Sequence, residues 1–277
     1  MTAKRKKRNW NADSFGDERW TRKDVVLSGA MLVLFLLLWE IGIRVLKVPE
    51  LIVPAPSAVF EALRLSLVSG FLLPHIGVTL FEVVAGYLIG ALAALALGCA
   101  VAQFRIVDRV IYPYIVCFQA VPKVALAPLL VIWFGFGLSS KVLMTAIISF
   151  FPILVNTVVG VKTVERERIE LMIALNATRW QTFMQVRLPS ALPFIFAGLE
   201  IGAVMAVIGA VVGEFVGADG GLGYMLLVYQ ADLKNAFVFA ILIILAAMGM
   251  ILHALIVAAH RHFVFWTRTG GDRPTGV

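Results

Sequence analysis

The sequence contains little that would serve redox chemistry or metal binding. Its 277 residues include two cysteines and four histidines. Cys99 and Cys117 both fall in apolar stretches and form no C-x-x-C pair, so they predict neither a disulfide framework nor a zinc site. The histidines are too scattered to predict a metal cluster. We therefore expect no metal ion and no cofactor bound by this chain.

Motifs for nucleotide binding and for catalysis are also missing. The sequence has no G-x-x-x-x-G-K-[ST] phosphate loop, no G-x-S-x-G nucleophile elbow and no H-E-x-x-H pair. The glycine-rich run at 217–223 does not match G-x-G-x-x-G, and the string at 135–141 has the wrong spacing for a phosphate loop. No catalytic residue is predicted. Any work done by the protein must then draw its energy from another chain or from an ion gradient.

Charged residues are few, at 15%, whereas 61% of the chain is hydrophobic. The mean hydropathy of +0.93 excludes an ordinary soluble domain. Only helices and closed barrels satisfy the backbone in lipid, and apolar runs near the length of a spanning helix recur. We predict an all-α integral membrane protein with six transmembrane helices, at about 25–46, 74–102, 110–135, 141–161, 191–217 and 236–260. Pro113, Pro122 and Pro128 should make the third one irregular.

The basic residues predict the orientation. If both termini are cytoplasmic, the inner segments carry 18 of the 24 lysines and arginines, which satisfies the positive-inside rule. Residues 1–24 form a basic cytoplasmic tail, 25–262 a transmembrane domain and 263–277 a polar C-terminal tail. A nucleic-acid-binding arm is the alternative for residues 1–24. A basic run beside a spanning helix favours orientation in the membrane over nucleic-acid binding.

Two of the predicted spans carry small residues at intervals of four. Such stripes let neighbouring helix backbones approach closely, so they predict helix packing. The glycines of these stripes are Gly86, Gly90, Gly98, Gly198, Gly202, Gly209 and Gly213.

A charged side chain within a span is costly unless it faces protein, water or a ligand. The charged residues within these spans are therefore candidates for lining a path through the membrane. We predict that Lys123 lines this path near an inner gate and attracts an anionic substrate. Alternatively, Lys123 extends to the cytoplasmic interface or pairs with Glu200 or Glu214. Glu214 is a second candidate for the path, or a buried hydrogen-bond partner between helices, as are Glu82 and Glu200.

One polar stretch, loop 163–193, interrupts the apolar runs and must face water. Thr163 is predicted to cap a first short helix, and Asn176 to end it in the left-handed conformation. Thr178 and Gln181 form a capping box for a second helix, which Leu188-Pro189 should end. Two short helices beside a membrane suggest a docking site for another protein. The alternative is an ordinary cytoplasmic loop with an amphipathic helix.

This stretch resembles the EAA loop of ATP-binding cassette (ABC) importer permeases, in Glu170-x5-Asn176-Ala177 and in Leu188-Pro189. Two positions differ: Leu171-Met172 replaces the two alanines, and Asn176 replaces the glycine. Segments at 51–57, 131–135 and 151–156 resemble the nitrate, sulfonate and taurine branch. Residues matched to the family's ATPase-contacting motif are Glu170, Asn176, Ala177, Thr178, Arg179, Trp180, Leu188 and Pro189.

The resemblance implies a type I, MetI-like permease of a bacterial inner membrane. Its expected partners are two ABC ATPase subunits that carry Mg-ATP, a second permease copy in a homodimer, an external solute-binding protein and membrane lipid, with no nucleic acid. The implied cargo is a nitrate, sulfonate, taurine, aromatic acid or vitamin precursor. The alternatives are a secondary transporter coupled to ions through Glu82, Glu200 or Glu214, and a membrane-embedded enzyme.

Overall fold

The computed structural model describes residues 22–267, except for the side chains at 22, 23, 105, 112 and 267. Most of the predicted basic tail 1–24 and the end of the predicted polar tail 263–277 lie outside this range. Throughout the described range the regular structure is helical, and no strand occurs there. The predicted all-α class is confirmed.

Helix α1, Arg22–Val45, belongs to one compact unit with the residues up to Lys47, and the residues from Val48 to 267 form a second unit. The helices of the second unit are α2 Pro56–Val68, α3 Leu73–Gln103, α4 Arg105–Ala120, α5 Ala127–Phe134, α6 Leu138–Lys162, α7 Arg166–Ala174, α8 Arg179–Thr182, α9 Leu188–Gly217, α10 Leu222–Ala231 and α11 Asn235–Phe263.

Among the described residues, five helices are long and apolar enough to cross a membrane: α1, α3, α6, α11 and the continuous helix from Arg179 to Gly217. The predicted third span is instead a broken pair. Its two parts, Ile106–Ala120 and Lys123–Phe134, are bent by 90°. Val121 is extended because the following Pro122 disfavours helical geometry in the residue before it. The number of spans is therefore five, or six if the bent pair counts as one.

Helix α6 lies between α3 and α9, and the predicted glycine stripes face it from both sides. A Cβ atom on Gly90 would lie 2.6 Å from the carbonyl oxygen of Ala146. A Cβ on Gly209 would lie 2.7 Å from the Cα of Thr145. The other stripe positions, Gly86, Gly98, Gly198, Gly202 and Gly213, also meet α6 atoms. Backbone contact of this kind requires the absence of a side chain.

The prediction that Leu188-Pro189 ends the second short helix is wrong. Helix α8 continues through a π-helical turn, Phe183–Arg187, into α9, and Pro189 lies in the first turn of α9. The π turn interrupts the regular backbone ladder just before Pro189. This change accommodates a residue that lacks an N–H and whose ring would crowd the preceding turn of a regular helix.

The predicted capping role of Thr163 is also wrong. Helix α6 extends to Lys162, and Thr163 is its C-terminal boundary residue. Its hydroxyl donates a hydrogen bond to the carbonyl of Val159 at 2.7 Å, back into α6, and no side chain caps the start of the next helix. Helix α7 instead begins at Arg166, after Glu165.

Candidate functional site

The first short helix of loop 163–193 ends as the sequence predicts. Asn176 adopts a positive φ of 53°, the left-handed conformation expected of the residue that ends this helix. The N–H of Asn176 bonds to the carbonyl of Ile173 at 3.0 Å, and that of Ala177 to Met172 at 2.9 Å. These bonds satisfy the last carbonyls of α7 and reverse the chain within a few residues.

The predicted capping box at Thr178 and Gln181 is confirmed. The backbone N–H of Gln181 donates to the hydroxyl of Thr178 at 3.2 Å, and the N–H of Thr178 donates to the side-chain oxygen of Gln181 at 2.8 Å. Both bonds satisfy N–H groups that the start of a helix leaves without partners. The box therefore fixes where α8 begins and how it leaves the turn.

Large apolar side chains project from this turn. Ile173, Leu175 and Trp180 are 65%, 68% and 62% exposed. Charged residues lie among them: Glu170 pairs with Arg166 at 2.8 Å, and Arg179 is exposed. Because these charges place the segment in water, its exposed apolar side chains are not explained by lipid contact. Apolar anchors with charges around them are typical of a protein-binding surface.

The loop is anchored to the helical core at its C-terminal side. Phe183 is buried in a cluster with Val161, Ala191 and Ile195, and Leu188 packs partly buried against it. Pro189 lies half-buried one residue further on. The surface at Trp180 is thus connected to α6 and α9 through packed side chains, with no flexible linker between them.

Lys123 lies half-buried at the break between α4 and α5. Its Nζ donates to the carbonyl of Gln119 at 3.2 Å and lies 4.7 Å from the ring centroid of Phe151. Within the described residues its contacts include neither of the carboxylates considered for it. Glu200 instead contacts a ring nitrogen of His260 at 2.8 Å.

Glu214 is buried near the end of α9 and caps the start of α10. Its carboxylate accepts a hydrogen bond from the hydroxyl of Thr79 at 2.6 Å and another from the N–H of Gly223. The N–H of Leu222 donates to the hydroxyl oxygen of Thr79 at 2.7 Å. The N–H of Gly221 donates to Nδ1 of His75 at 3.1 Å. Side chains from α3 and α9 thus supply partners for three N–H groups at the start of α10.

Two more charged residues are buried at this end of the molecule. Glu82 is fully buried, and its carboxyl group interacts with that of Glu214. Lys141, 5% exposed, interacts electrostatically with Glu82 and donates to the carbonyl of Phe136 at 3.1 Å.

Thr79 and His75 were not identified from the sequence, although a signal was present. A helix that begins within the glycine-rich run 217–223 leaves N–H groups that need acceptors, and the side chains of this run supply few of them. In the described part of the chain, histidine, cysteine and acidic side chains form no group of three or more that could hold a metal ion.

Long apolar helices, the close packing of α3 and α9 on α6 through glycines, and a structured polar segment between α6 and α9 define the class: a multi-span helical membrane protein. The family model for the inner membrane component of binding-protein-dependent transport systems matches residues 86–269. The chain therefore belongs to the permease family of ABC importers and is a non-catalytic membrane component.

Curated relatives agree with this family. The chain is 38% identical to the "Riboflavin transport system permease protein RibX" of Chloroflexus aurantiacus, over 85% of this chain and 88% of the relative. It is 34% identical to the "Formylaminopyrimidine transport permease protein ThiX" of Halalkalibacterium halodurans, over 85% and 94%. It is 30% identical to the "Taurine transport system permease protein TauC" of Escherichia coli, over 90% and 92%. The predicted resemblance to the nitrate, sulfonate and taurine branch is confirmed.

A solved structure supports the fold. The inward-facing MetNI methionine ABC transporter matches with a TM-score of 0.61 and 21% identity, over 69% of this chain and 95% of that one. The similarity shows that the permease fold is shared. Membership of this family implies a partner ATPase and a solute-binding protein.

Proposed function

We propose that this chain forms the translocation path of an ATP-driven importer for a small anionic solute and couples to its ATPase through loop 163–193. In this proposal the chain crosses a bacterial inner membrane six times, with both termini in the cytoplasm. Two identical copies form the path, two ATPase subunits hold Mg-ATP, and an external binding protein delivers the solute.

The single observation that carries this proposal is the exposed surface of loop 163–193. Trp180, Ile173 and Leu175 are exposed on a charged, water-facing segment, whereas Phe183, close by on the same turn, is buried. Such a surface supports docking of a soluble subunit. The rigid connection from α8 through the π turn to α9 supports transmission of the subunit's motion to the core, because packed helices move as units.

Of the two residues predicted to line the path, Lys123 supports an anionic cargo and Glu214 does not. Lys123 is half-buried beside an apolar cavity, and no carboxylate of the described residues is among its contacts, which leaves its charge available for an anion. Glu214 makes hydrogen bonds that hold α10 in place. We therefore propose that it supports the wall of the path and does not touch the solute. The relatives are named for riboflavin, formylaminopyrimidine and taurine, so their names do not select one class of cargo.

Copurification tests the coupling surface. The chain is extracted from membranes in mild detergent, and the partner ATPase and its turnover are measured. We expect Arg179→Glu to lose both, because Arg179 lies exposed beside Trp180 on the proposed docking surface. Arg64→Glu is the control, since Arg64 is an exposed arginine on α2, paired with Glu61. A chain that purifies alone and transports under an ion gradient would refute the proposal.

A further inference from the structure

A cavity of about 760 Å³ lies between loop 163–193 and the turn that joins α3 to α4. The polar side chains of its lining are those of Gln103, Arg179, Thr182 and Arg187. No acidic side chain of the described residues lines the cavity with them. Guanidinium groups are the donors best suited to a phosphate, because they stay charged and bond to its oxygens in pairs. The cavity thus offers two such groups to an anion.

The acidic side chains near the cavity are paired with other bases. Asp108, the acidic residue of α4, pairs with Lys162 at 2.5 Å. Glu170 of α7 pairs with an arginine of its own helix at 2.8 Å. Arg179 and Arg187 form no ion pair within the described part of the chain, so the cavity keeps a positive charge that an anionic ligand can neutralise.

Part of the apolar lining lies at the end of a helix that can span the membrane. Helix α3 is long and apolar enough to cross a bilayer, and it ends at Gln103. Phe104 and Ile106 follow directly and line the cavity, although they are 59% and 79% exposed. Basic pockets beside the ends of spanning helices are typical binding sites for anionic headgroups. The cavity therefore lies at the level of the headgroups, with apolar side chains beside its arginines.

Helix α7 forms another wall of the cavity through Ile169 and Ile173. None of the nine residues of α7 is buried, so α7 has little packing of its own to hold it in place. A ligand that fills the cavity would cover these isoleucines and connect α7 to the α3–α4 turn. An inorganic phosphate ion is too small to do so, and it has no group for the apolar wall. A phospholipid supplies both the charge and the apolar part.

We propose that this cavity binds an anionic phospholipid, with its phosphate on Arg179 and Arg187 and an acyl chain along Phe104 and Ile106. The bound lipid holds α7 against the α3–α4 turn and so fixes the position of the loop that carries α7. This inference rests on the proposed function in one respect, because the proposed orientation places the cavity at the inner leaflet. Arg179 also belongs to the surface proposed for the ATPase, so the main test uses Arg187, which is half-buried in the π turn.

Lipid binding is measured on the purified full-length chain in dodecyl maltoside, so the result does not depend on the ATPase. The probe is dioleoylphosphatidylglycerol in mixed micelles. Dioleoylphosphatidylcholine, which carries a phosphate but no net charge, is the comparison. We expect phosphatidylglycerol alone to stay bound in native mass spectrometry and to slow amide hydrogen exchange in α7 about tenfold. Arg187→Gln should lower its affinity about tenfold, the loss expected for one charge-assisted hydrogen bond.

Matched variants separate a specific site from surface charge. Arg187→Lys keeps the charge and should retain most of the affinity for phosphatidylglycerol. Arg261→Gln removes an exposed arginine near the end of α11, outside the cavity, and should leave binding unchanged. Arg179→Gln should weaken binding about tenfold, and it replaces Arg187→Gln if that variant does not fold. A folded variant of either cavity arginine that binds like the wild type would overturn the proposal, as would an equal loss with Arg261→Gln.

The remaining outcomes identify a different occupant or separate the two proposals. If inorganic phosphate alone slows exchange in α7 and displaces the lipid, the cavity is a site for a free anion and the lipid assignment is wrong. If the ATPase displaces phosphatidylglycerol and slows the same exchange, the cavity belongs to the partner's interface and the assignment is again wrong. If the lipid binds as expected but no ATPase copurifies, the lipid site stands and the proposed importer function falls. If the ATPase copurifies and no lipid binds, the reverse holds.

Discussion

Helix α9, which begins at Leu188, is preceded by a segment with two exposed ion pairs, Arg166 with Glu170 and Arg168 with Glu165, each between residues three or four positions apart. At its last residue, Gly217, it meets polar side chains that are buried and that bond across helices. Arg168 and Glu165 represent the first end, with both side chains more than half exposed. Glu214 represents the second, 1% exposed and bonded to α3 and to the start of α10.

The difference shows that buried hydrogen bonds hold the end of α9 at Gly217, whereas the end at Leu188 is available to a partner. Exposed ion pairs contribute little, because water screens them and competes for the same groups. Buried hydrogen bonds are costly to break, because a donor left without a partner cannot return to water. The buried end therefore holds α3, α9 and α10 together, and the exposed end can exchange its contacts for those of a partner.

Loss of the Glu214 carboxylate should have the largest effect. In Glu214→Leu, the N–H of Gly223 loses its acceptor, and the hydroxyl of Thr79 keeps only the more distant carbonyl of His75, at 3.2 Å. Each buried donor without a partner costs about 1–3 kcal/mol, so we expect a loss of about 2 kcal/mol or more. Thermal unfolding in detergent measures this. Glu214→Gln retains an acceptor oxygen and should lose less stability. Equal melting temperatures for the two variants and the wild type would contradict a bonding role for Glu214.

Crowding of the same carboxylate should have the next largest effect. A Cβ on Gly223 would lie 2.6 Å from Oε2 of Glu214 and 3.0 Å from the carbonyl of Val211. Gly223→Ala should therefore cost about 1–3 kcal/mol, the range for overpacking a buried site. Gly220→Ala is the control in the same loop, because its Cβ would be 3.8 Å from His75, an ordinary contact. Equal melting temperatures for the two alanine variants would refute this account.

The sequence predicted the exposed end of α9 in more detail than the buried one. Asn176 and the capping box of Thr178 act through residues within a few positions, so local chemistry is sufficient to identify them. Thr163 shows the limit of such reasoning. Threonine is a residue type that caps helices, but helix α6 extends to Lys162, so Thr163 ends α6 and does not begin α7.

Contacts across helices could not be found in this way. The bonds from Thr79 to Glu214 and to the start of α10 join residues more than a hundred positions apart. Spacing along one helix cannot show which face meets which neighbour, so the identity of Glu214 as a cap required the fold. The glycine stripes were predicted because small residues at every fourth position form one face whatever the partner.

A smaller effect is expected at the exposed end when its capping box is removed. Thr178→Ala deletes the acceptor for the Gln181 N–H and should cost about 1 kcal/mol locally. Amide hydrogen exchange at residues 180–182 should accelerate about fivefold, with little change in the global melting temperature. Thr163→Ala is the control, because its hydroxyl bonds only to a carbonyl within its own helix turn. Acceleration of equal size in both variants would contradict the capping account.

The smallest effect is expected for the ion pair of Arg168 and Glu165, which are 2.7 Å apart and both exposed. Arg168→Ala should leave the melting temperature unchanged at low and high salt, because each group regains water when its partner is lost. Glu165→Ala should behave in the same way. A clear loss of stability in either variant would mean that this end is held by its charges, and the contrast with Glu214 would fail. If both variants instead remain stable but bind the ATPase less tightly, these charges belong to the surface that binds the ATPase and do not stabilise the fold.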